Sequence, residues 1–254
     1  MTYPMTPLPS SLATHPAPPP APAAPLAPKP FLRRLAGFGF RLVRGGARRA
    51  VSFVFSSARV LRNLGHRVLR RSDRKRWDDL ANYEAWWDAR TEKIARLVPP
   101  GSRVIEFGAG RRQLEKRLDP TCTYVPSDIA DRGPGTLVCD LNRRPLPELR
   151  SLDVDTAVFG GVLEYMHDLE SLALWLARHV STCVASYSCV PPTTGILPRL
   201  RDRFERFYYG YMNACSEEEL VAIFERAGFR CIARDPWTSQ RVFLFVHASR
   251  PAGG

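Results

Sequence analysis

The chain has 254 residues, 23 prolines and a formal net charge of +12 at pH 7. The positive charge is concentrated, because residues 31–76 contain thirteen arginines, one lysine and a single acid, whereas residues 77–254 are close to neutral at −2. The basic character therefore belongs to an arm and not to the globular part. No apolar stretch approaches the roughly 20 residues that span a bilayer, which argues against a transmembrane helix.

The six cysteines point to no metal site. They form no C-x-x-C pair and no Cys/His cluster with zinc spacing. Several lie in apolar strand-like runs, where a thiol behaves as a small hydrophobic group. We therefore expect a reduced, cytoplasmic protein without a bound metal.

The first two segments of the chain are a tail and an arm. Residues 1–30 include eleven prolines and no acid, which predicts a disordered, partly polyproline-like tail. Within the arm, residues 31–76, apolar residues recur at steps of three and four from Ala47 to Leu69, and arginines fall largely between them. This spacing predicts a basic amphipathic helix.

Three roles for residues 31–76 remain open. A basic amphipathic helix can lie on an anionic membrane surface, bind nucleic acid through phosphates, or pack its apolar side on protein. Phenylalanines interleaved with the arginines favour the membrane surface. The localisation that we expect is cytoplasmic, with peripheral attachment to the inner face of the membrane.

The globular domain is predicted to span residues 77–250. A helical pattern from Trp77 to Leu97 ends at a Pro-Pro-Gly stop, and strand-like and helix-like segments alternate after it. This alternation predicts an α/β fold, a doubly wound seven-stranded and mostly parallel sheet with a C-terminal antiparallel hairpin. The predicted strands are Arg103–Phe107, Thr123–Ser127, Thr136–Cys139, Thr156–Phe159, Cys183–Tyr187, Arg230–Arg234 and Val242–Ala248, and the predicted helices are Gln113–Leu118, Asp168–His179 and Glu217–Ala227.

The sequence Val-Ile-Glu-Phe-Gly-Ala-Gly at residues 104–110 predicts a cofactor site. An apolar run ends in an acid, and a glycine-spaced turn follows, which is typical of a strand that opens onto a nucleotide-like cofactor. Glycine has no Cβ to block the approach of a ligand, and it adopts positive φ readily. Further acids, Asp128 and Asp140, follow the next two predicted strands.

The order of these features resembles the class I S-adenosylmethionine-dependent methyltransferases, over roughly residues 77–250. The resemblance implies that Glu106, Gly108 and Gly110 surround the methionine portion of the cofactor. It also implies that Asp128 accepts the ribose hydroxyls and that Asp140 lies near the adenine amine. The fourth strand and its exit resemble the segment that lines the sulfonium and adenine, which adds Phe159 to the implied cofactor-binding residues.

The implied activity is transfer of a methyl group from S-adenosyl-L-methionine to a small-molecule, glycan or lipid-linked acceptor. Methyl transfer depends mainly on alignment and desolvation, and a base is needed only where the acceptor loses a proton. The candidates for such a catalytic group are His167 and Tyr187, although a histidine in a surface loop is the favoured interpretation of His167. Arginines and aromatic residues in the insert Ser186–Ser216 suggest a lid over the acceptor, or a loop pinned to the core by its aromatic side chains.

The glycine motif departs from the family at its third glycine, where Arg112 stands, preceded by Arg111. Arginine adopts positive φ at a cost, so this turn differs from the family pattern. One hypothesis is that Arg111 or Arg112 forms an ion pair with the cofactor carboxylate. The alternative is that both side chains are solvated. The departure keeps open the interpretation of a catalytically degenerate methyltransferase-like binding or scaffold domain. A third interpretation is another nucleotide-binding α/β enzyme, such as a dehydrogenase.

Overall fold

The computed structural model describes residues 59–192 and 195–249. The predicted tail and most of the predicted arm therefore lie outside the described residues. Within the arm, residues 59–68 form helix α1. This helix ends just before Arg70, whose φ of 48° is incompatible with continuing a right-handed helix.

Seven strands form one sheet in the order β3-β2-β1-β4-β5-β7-β6. The pairs among β1 to β5 are parallel, whereas β7 is antiparallel to both of its neighbours, β5 and β6. This arrangement confirms the predicted doubly wound sheet with its C-terminal antiparallel hairpin. The strands are β1 Arg103–Phe107, β2 Thr123–Asp128, β3 Leu137–Val138, β4 Thr156–Gly160, β5 Thr182–Tyr187, β6 Phe229–Trp237 and β7 Gln240–His247.

Two of the predicted helices are present with capped N-termini. Helix α4, Leu169–His179, begins after Asp168, whose side chain accepts a hydrogen bond from the Ser171 amide at 2.9 Å. Helix α6, Glu217–Arg226, begins with a capping box between Ser216 and Glu219. The remaining helices after α1 are α2 Arg74–Asp78, α3 Asp88–Leu97 and α5 Ile196–Tyr209. None of the helices in the described ranges is long and apolar enough to cross a membrane.

Two of the helix predictions were wrong, and one helix was missed. The predicted helix from Trp77 to Leu97 is divided into α2 and α3, because the Asp79 side chain accepts from the Ala81 amide and favours a local turn. The predicted helix Gln113–Leu118 is a series of turns that follows the left-handed Arg112. The insert Ser186–Ser216, predicted as a lid or as a loop pinned to the core, contains the fourteen-residue helix α5.

The sheet buries a layer of apolar side chains on each face. In β4, the Phe159 side chain joins the layer under α4 and α6, whereas Val158 joins the layer under α3. This alternation is the consequence of the two-residue period of a strand. Helices therefore cover both faces, and the carboxyl ends of the parallel strands are left to form a binding edge.

Candidate active site

The glycine turn after β1 is fastened to the end of β2. Gly108 has φ +76° and Gly110 has φ +50°, in the left-handed region that favours glycine. The amides of Gly108 and Ala109 donate to the Ser127 carbonyl at 2.8 and 3.0 Å. A Cβ on Gly108 would overlap the Val162 side chain, so both the backbone conformation and the close approach require glycine there.

Glu106 is a buried acid at the carboxyl end of β1. Its Oε2 accepts a hydrogen bond from the Tyr124 hydroxyl at 2.5 Å. Burial raises the pKa of Glu106 to about 8, although Tyr124 and the nearby Arg90 oppose the rise. A strongly perturbed carboxyl at a strand end is typical of a functional site, since folding alone favours leaving such a group exposed.

Asp128 ends β2 and is also buried. The Gly110 amide donates to its Oδ2 at 2.8 Å, and the Ala130 amide donates to its Oδ1 at 3.2 Å. Arg132 forms an ion pair with Oδ1 at 3.1 Å, and both of these side chains are almost fully buried. Two acids, Glu106 and Asp128, therefore lie on adjacent strand ends on either side of the glycine turn.

A segment ahead of β1 folds back over this edge. The Tyr83 ring lies on Gly110, where a Cβ would overlap it, and the Tyr83 hydroxyl is 3.5 Å from Asp128 Oδ2. The Arg132 guanidinium also donates to the carbonyls of Trp77 and Asp78, which ties the segment to Asp128. Burial, together with the charge of Asp128, raises the pKa of Tyr83, so its hydroxyl stays protonated. Sequence reasoning missed both Tyr83 and Arg132, since no motif marks a side chain that reaches a strand end from a distant segment.

A family profile described as "Methyltransferase domain" matches residues 74–234. The chain belongs to this methyltransferase family. The predicted resemblance to the class I S-adenosylmethionine-dependent methyltransferases is confirmed, and S-adenosylmethionine, the predicted cofactor, is the cofactor of that class. No curated protein matches the sequence.

Several solved methyltransferase structures are similar to the domain. CalO1, a methyltransferase in calicheamicin biosynthesis solved with S-adenosylhomocysteine, has 14% identity and a TM-score of 0.46 over 63% of this chain and 54% of its own. The mitomycin 7-O-methyltransferase MmcR has 14% identity and a TM-score of 0.49 over 66% and 56%. The Burkholderia thailandensis 1,6-didemethyltoxoflavin-N1-methyltransferase has 16% identity and a TM-score of 0.47 over 66% and 81%. The chain thus spans about half the length of CalO1 and MmcR.

The resemblance also implies cofactor contacts for Asp140 and Phe159, and the two residues lie in different surroundings. Asp140 lies two residues beyond β3, where its Oδ1 accepts from the Ser72 hydroxyl at 2.7 Å and the Asn142 amide at 3.0 Å. The Phe159 ring is buried in the core and stacks on Phe107, with ring centroids 5.1 Å apart. Phe159 can therefore meet a ligand through its backbone but not through its ring, whereas Asp140 lies at the binding edge.

The two arginines of the glycine motif are engaged with protein groups. Arg112 takes φ 54°, a conformation that costs on the order of 1–3 kcal/mol for a residue other than glycine. Its guanidinium donates to both carboxylate oxygens of Glu115 at 2.9 Å and to the Pro134 carbonyl at 3.1 Å. Arg111 donates to the Leu80 carbonyl at 2.9 Å. The suggested ion pair with a cofactor carboxylate therefore gains no support from these contacts.

The two candidate catalytic residues lie apart from Glu106. The His167 amide donates to Asn142 Oδ1 at 2.9 Å, and burial together with nearby arginines lowers the pKa of its imidazole. Tyr187 is fully buried, donates to Asn213 Oδ1 at 2.5 Å and accepts from the Cys215 amide at 2.9 Å. Its hydroxyl thus fastens the chain after α5 to the end of β5.

A third buried acid, Glu164, follows β4 on the side where α5 lies. Its Oε1 accepts from the Ser188 amide at 2.8 Å, while Oε2 has no hydrogen-bond partner among the described residues. Burial raises the pKa of Glu164, and the guanidiniums of Arg90 and Arg206 oppose that rise. Both arginines are buried as well. The methyltransferase domain therefore encloses a carboxyl and two cations beside the carboxyl ends of β4 and β5.

Proposed function

We propose that the chain transfers the methyl group of S-adenosylmethionine to a small-molecule, glycan or lipid-linked acceptor. The observation that carries this proposal is the left-handed turn at Gly108 and Gly110, held between the buried acids Glu106 and Asp128. When bound, the cofactor supplies a methyl group on a sulfonium that is already activated for transfer. The residues of the chain then bind, orient and desolvate the reacting groups.

The residues present fit such a cofactor. Glu106 is buried and lies beside the Tyr124 hydroxyl, so a cationic group placed next to its carboxyl would favour the ionised form. Asp128 is held by two backbone amides, and its contact with the Tyr83 hydroxyl is long at 3.5 Å. Vicinal ribose hydroxyls are suitable donors to replace that contact.

On the acceptor side, we assign Glu164 to take a proton from a hydroxyl acceptor. Its Oε2 has no hydrogen-bond partner among the described residues, and this atom and the raised pKa suit a general base. Glu164 is a further candidate beside the predicted His167 and Tyr187. Substituting Glu164 with glutamine should leave cofactor binding unchanged and abolish methylation in an acceptor screen with radiolabelled cofactor. Unchanged methylation by that variant would remove Glu164 from the mechanism.

Cofactor binding can be tested by thermal unfolding with and without added ligand. S-adenosylmethionine at about 100 times its dissociation constant should stabilise the protein by about 2.7 kcal/mol, whereas NAD should not. For a domain of this size that free energy corresponds to roughly 5–10 °C in melting temperature. Stabilisation by NAD alone would favour a dehydrogenase instead.

The buried pair of Arg132 and Asp128 favours a second candidate, a degenerate methyltransferase-like binding module. In that case the ion pair takes the place of the ribose contact and the domain no longer binds the cofactor. Substituting Arg132 with methionine separates the two candidates. If S-adenosylmethionine raises the melting temperature of the variant but not of the wild type, the ion pair has closed the site. A rise in the melting temperature of the wild type favours the enzyme.

We also propose that residues 31–76 attach the protein peripherally to an anionic membrane surface, on the cytoplasmic side. Leu61, Leu64 and Val68 of α1 support this, because they lie on one side of the helix and are exposed. Deleting residues 1–58 should weaken flotation with anionic liposomes, since six of the arm's thirteen arginines are removed. Equal flotation by the deleted chain would contradict this role for the arm.

A further inference from the structure

Helix α5, Ile196–Tyr209, exposes aliphatic side chains near its N-terminal end and buries an arginine near its C-terminal end. Ile196, Leu197 and Leu200 are 77, 79 and 55% exposed, whereas Arg206 is buried. A surface helix normally turns its apolar side inward and its charges outward. The exposed aliphatic side chains indicate that this side of α5 is suited to a surface outside the protein.

The arginines of α5 lie on both sides of its apolar stripe. At about 100° per residue, the three aliphatic side chains fall within roughly a quarter to a third of the helix circumference. Arg201 and Arg203 flank this stripe, one on each side, and both are exposed. Apolar residues bordered by arginines are typical of a helix that lies in the plane of a membrane interface.

Helix α1 contacts the C-terminal end of α5 and also exposes aliphatic side chains. The Asn63 side chain is buried and donates to the carbonyls of Phe207 and Tyr208 at 3.0 Å each. Leu61, Leu64 and Val68, at spacing i, i+3 and i+7, point away from that contact. Two neighbouring helices from distant parts of the sequence therefore both expose apolar stripes.

The exposed apolar side chains are concentrated at this corner of the described structure. Isolated exposed hydrophobic residues are ordinary in soluble proteins, but contiguous groups mark interaction surfaces. Nine of the fourteen large hydrophobic residues that are exposed in the described ranges lie on or next to these two helices: Leu61, Leu64, Val68, Leu69, Ile196, Leu197, Leu200, Phe204 and Tyr209.

We propose that α5 is an interfacial helix that docks, beside α1, on an anionic membrane. The arginines that border its apolar stripe, together with the strongly basic arm, favour acidic lipid headgroups over a neutral surface. The side of α5 that faces the domain carries Arg206, whose positive charge favours the ionised form of Glu164. Docking would place the acceptor side of the domain next to the bilayer, which suits a lipid-linked acceptor; that consequence rests on the proposed methyl transfer.

The proposal can be tested by flotation of the full-length chain with two kinds of vesicle, phosphatidylcholine alone and phosphatidylcholine with phosphatidylserine. The test variant replaces Ile196, Leu197 and Leu200 with glutamine, a residue that preserves helix propensity. The matched control replaces Leu174 and Ile232, which are similarly exposed on α4 and β6, with glutamine.

The triple variant should bind mixed vesicles at least about tenfold more weakly than the wild type, because the inserted apolar surface is lost. The control should bind like the wild type. A further variant with Arg201 and Arg203 replaced by glutamine should lose about tenfold on mixed vesicles and little on neutral ones.

The triple variant must also keep the wild-type melting temperature, which shows that it is folded. Wild-type flotation by the folded triple variant would overturn the proposal, as would a wild-type chain that does not float with mixed vesicles. A triple variant that changes only the oligomeric state in light scattering would assign the apolar surface to a second copy of the chain instead. Flotation does not depend on S-adenosylmethionine, so failure of the cofactor-binding test would overturn the proposed function and leave the docking result intact.

Discussion

Replacing Glu106 with glutamine should stabilise the protein progressively as the pH rises. The pKa of this buried carboxyl is raised from 4.5 to about 8. Between these two values the unfolded chain has released the proton while the folded protein still holds it. Each pH unit in this interval therefore lowers the stability of the wild type by about 1.4 kcal/mol. Glutamine does not titrate, so the variant lacks this loss.

The expected effect is a change with pH in the difference between the unfolding free energies of the Glu106→Gln variant and the wild type. From pH 5.5 to pH 7.5 the variant should gain about 2.7 kcal/mol relative to the wild type. Because other titrating groups are common to both proteins, they largely cancel in this difference. Chemical unfolding in urea at pH 5.5, 6.5 and 7.5 measures it directly.

The matched control is Glu92→Gln, which removes a carboxyl from the exposed surface of α3. Its stability difference from the wild type should change by less than about 0.5 kcal/mol over the same range. If Glu106→Gln also gave a pH-independent difference, the argument from burial would be refuted. The Glu106→Gln variant should gain stability but lose the stabilisation by S-adenosylmethionine, because residues of a functional site are commonly kept at a cost in stability.

Three further substitutions test separate parts of the binding edge. Asp128→Asn should remove the melting-temperature shift with S-adenosylmethionine and destabilise the protein by about 3 kcal/mol, because buried Arg132 loses its charged partner; calorimetry without ligand measures the cost. Gly108→Ala should destabilise by at least about 1–3 kcal/mol, owing to its φ of +76° and the overlap with Val162, and urea unfolding would show it. Tyr187→Phe should cost about 1–3 kcal/mol, since the partly buried Cys215 amide loses its acceptor, yet leave the cofactor-induced shift in melting temperature intact.

The parallel sheet was predictable because each strand carries its own local signal. Strands buried on both faces appear as short apolar runs, and the predicted bounds of β1, Arg103–Phe107, agree with the structure. The caps of α4 and α6 are also local, since Asp168 and Ser216 act within three residues of themselves. Such features need no knowledge of the rest of the chain.

The helices that were misjudged depend on non-local contacts or on backbone conformations that the sequence does not specify. Helix α5 lacks an inward apolar stripe, so its periodicity gives no sign of packing on the domain. Its C-terminal end is held by Asn63 and Arg76, more than a hundred residues earlier in the chain. The turns after the glycine motif depend on Arg112, whose left-handed conformation ends any helical start.

The distinction between local signals and non-local contacts also explains which residues of the cofactor edge were predictable. Glu106, Asp128 and the glycines follow strand ends, so topology alone brings them together. Tyr83 reaches the edge only because α2 and α3 are separated by tight turns, and Arg132 then joins that segment to Asp128. This contact brings the segment ahead of β1 to the predicted binding edge. We propose that access to the ribose position depends on whether Arg132 holds this segment closed, and that this property separates a working methyltransferase from a degenerate one.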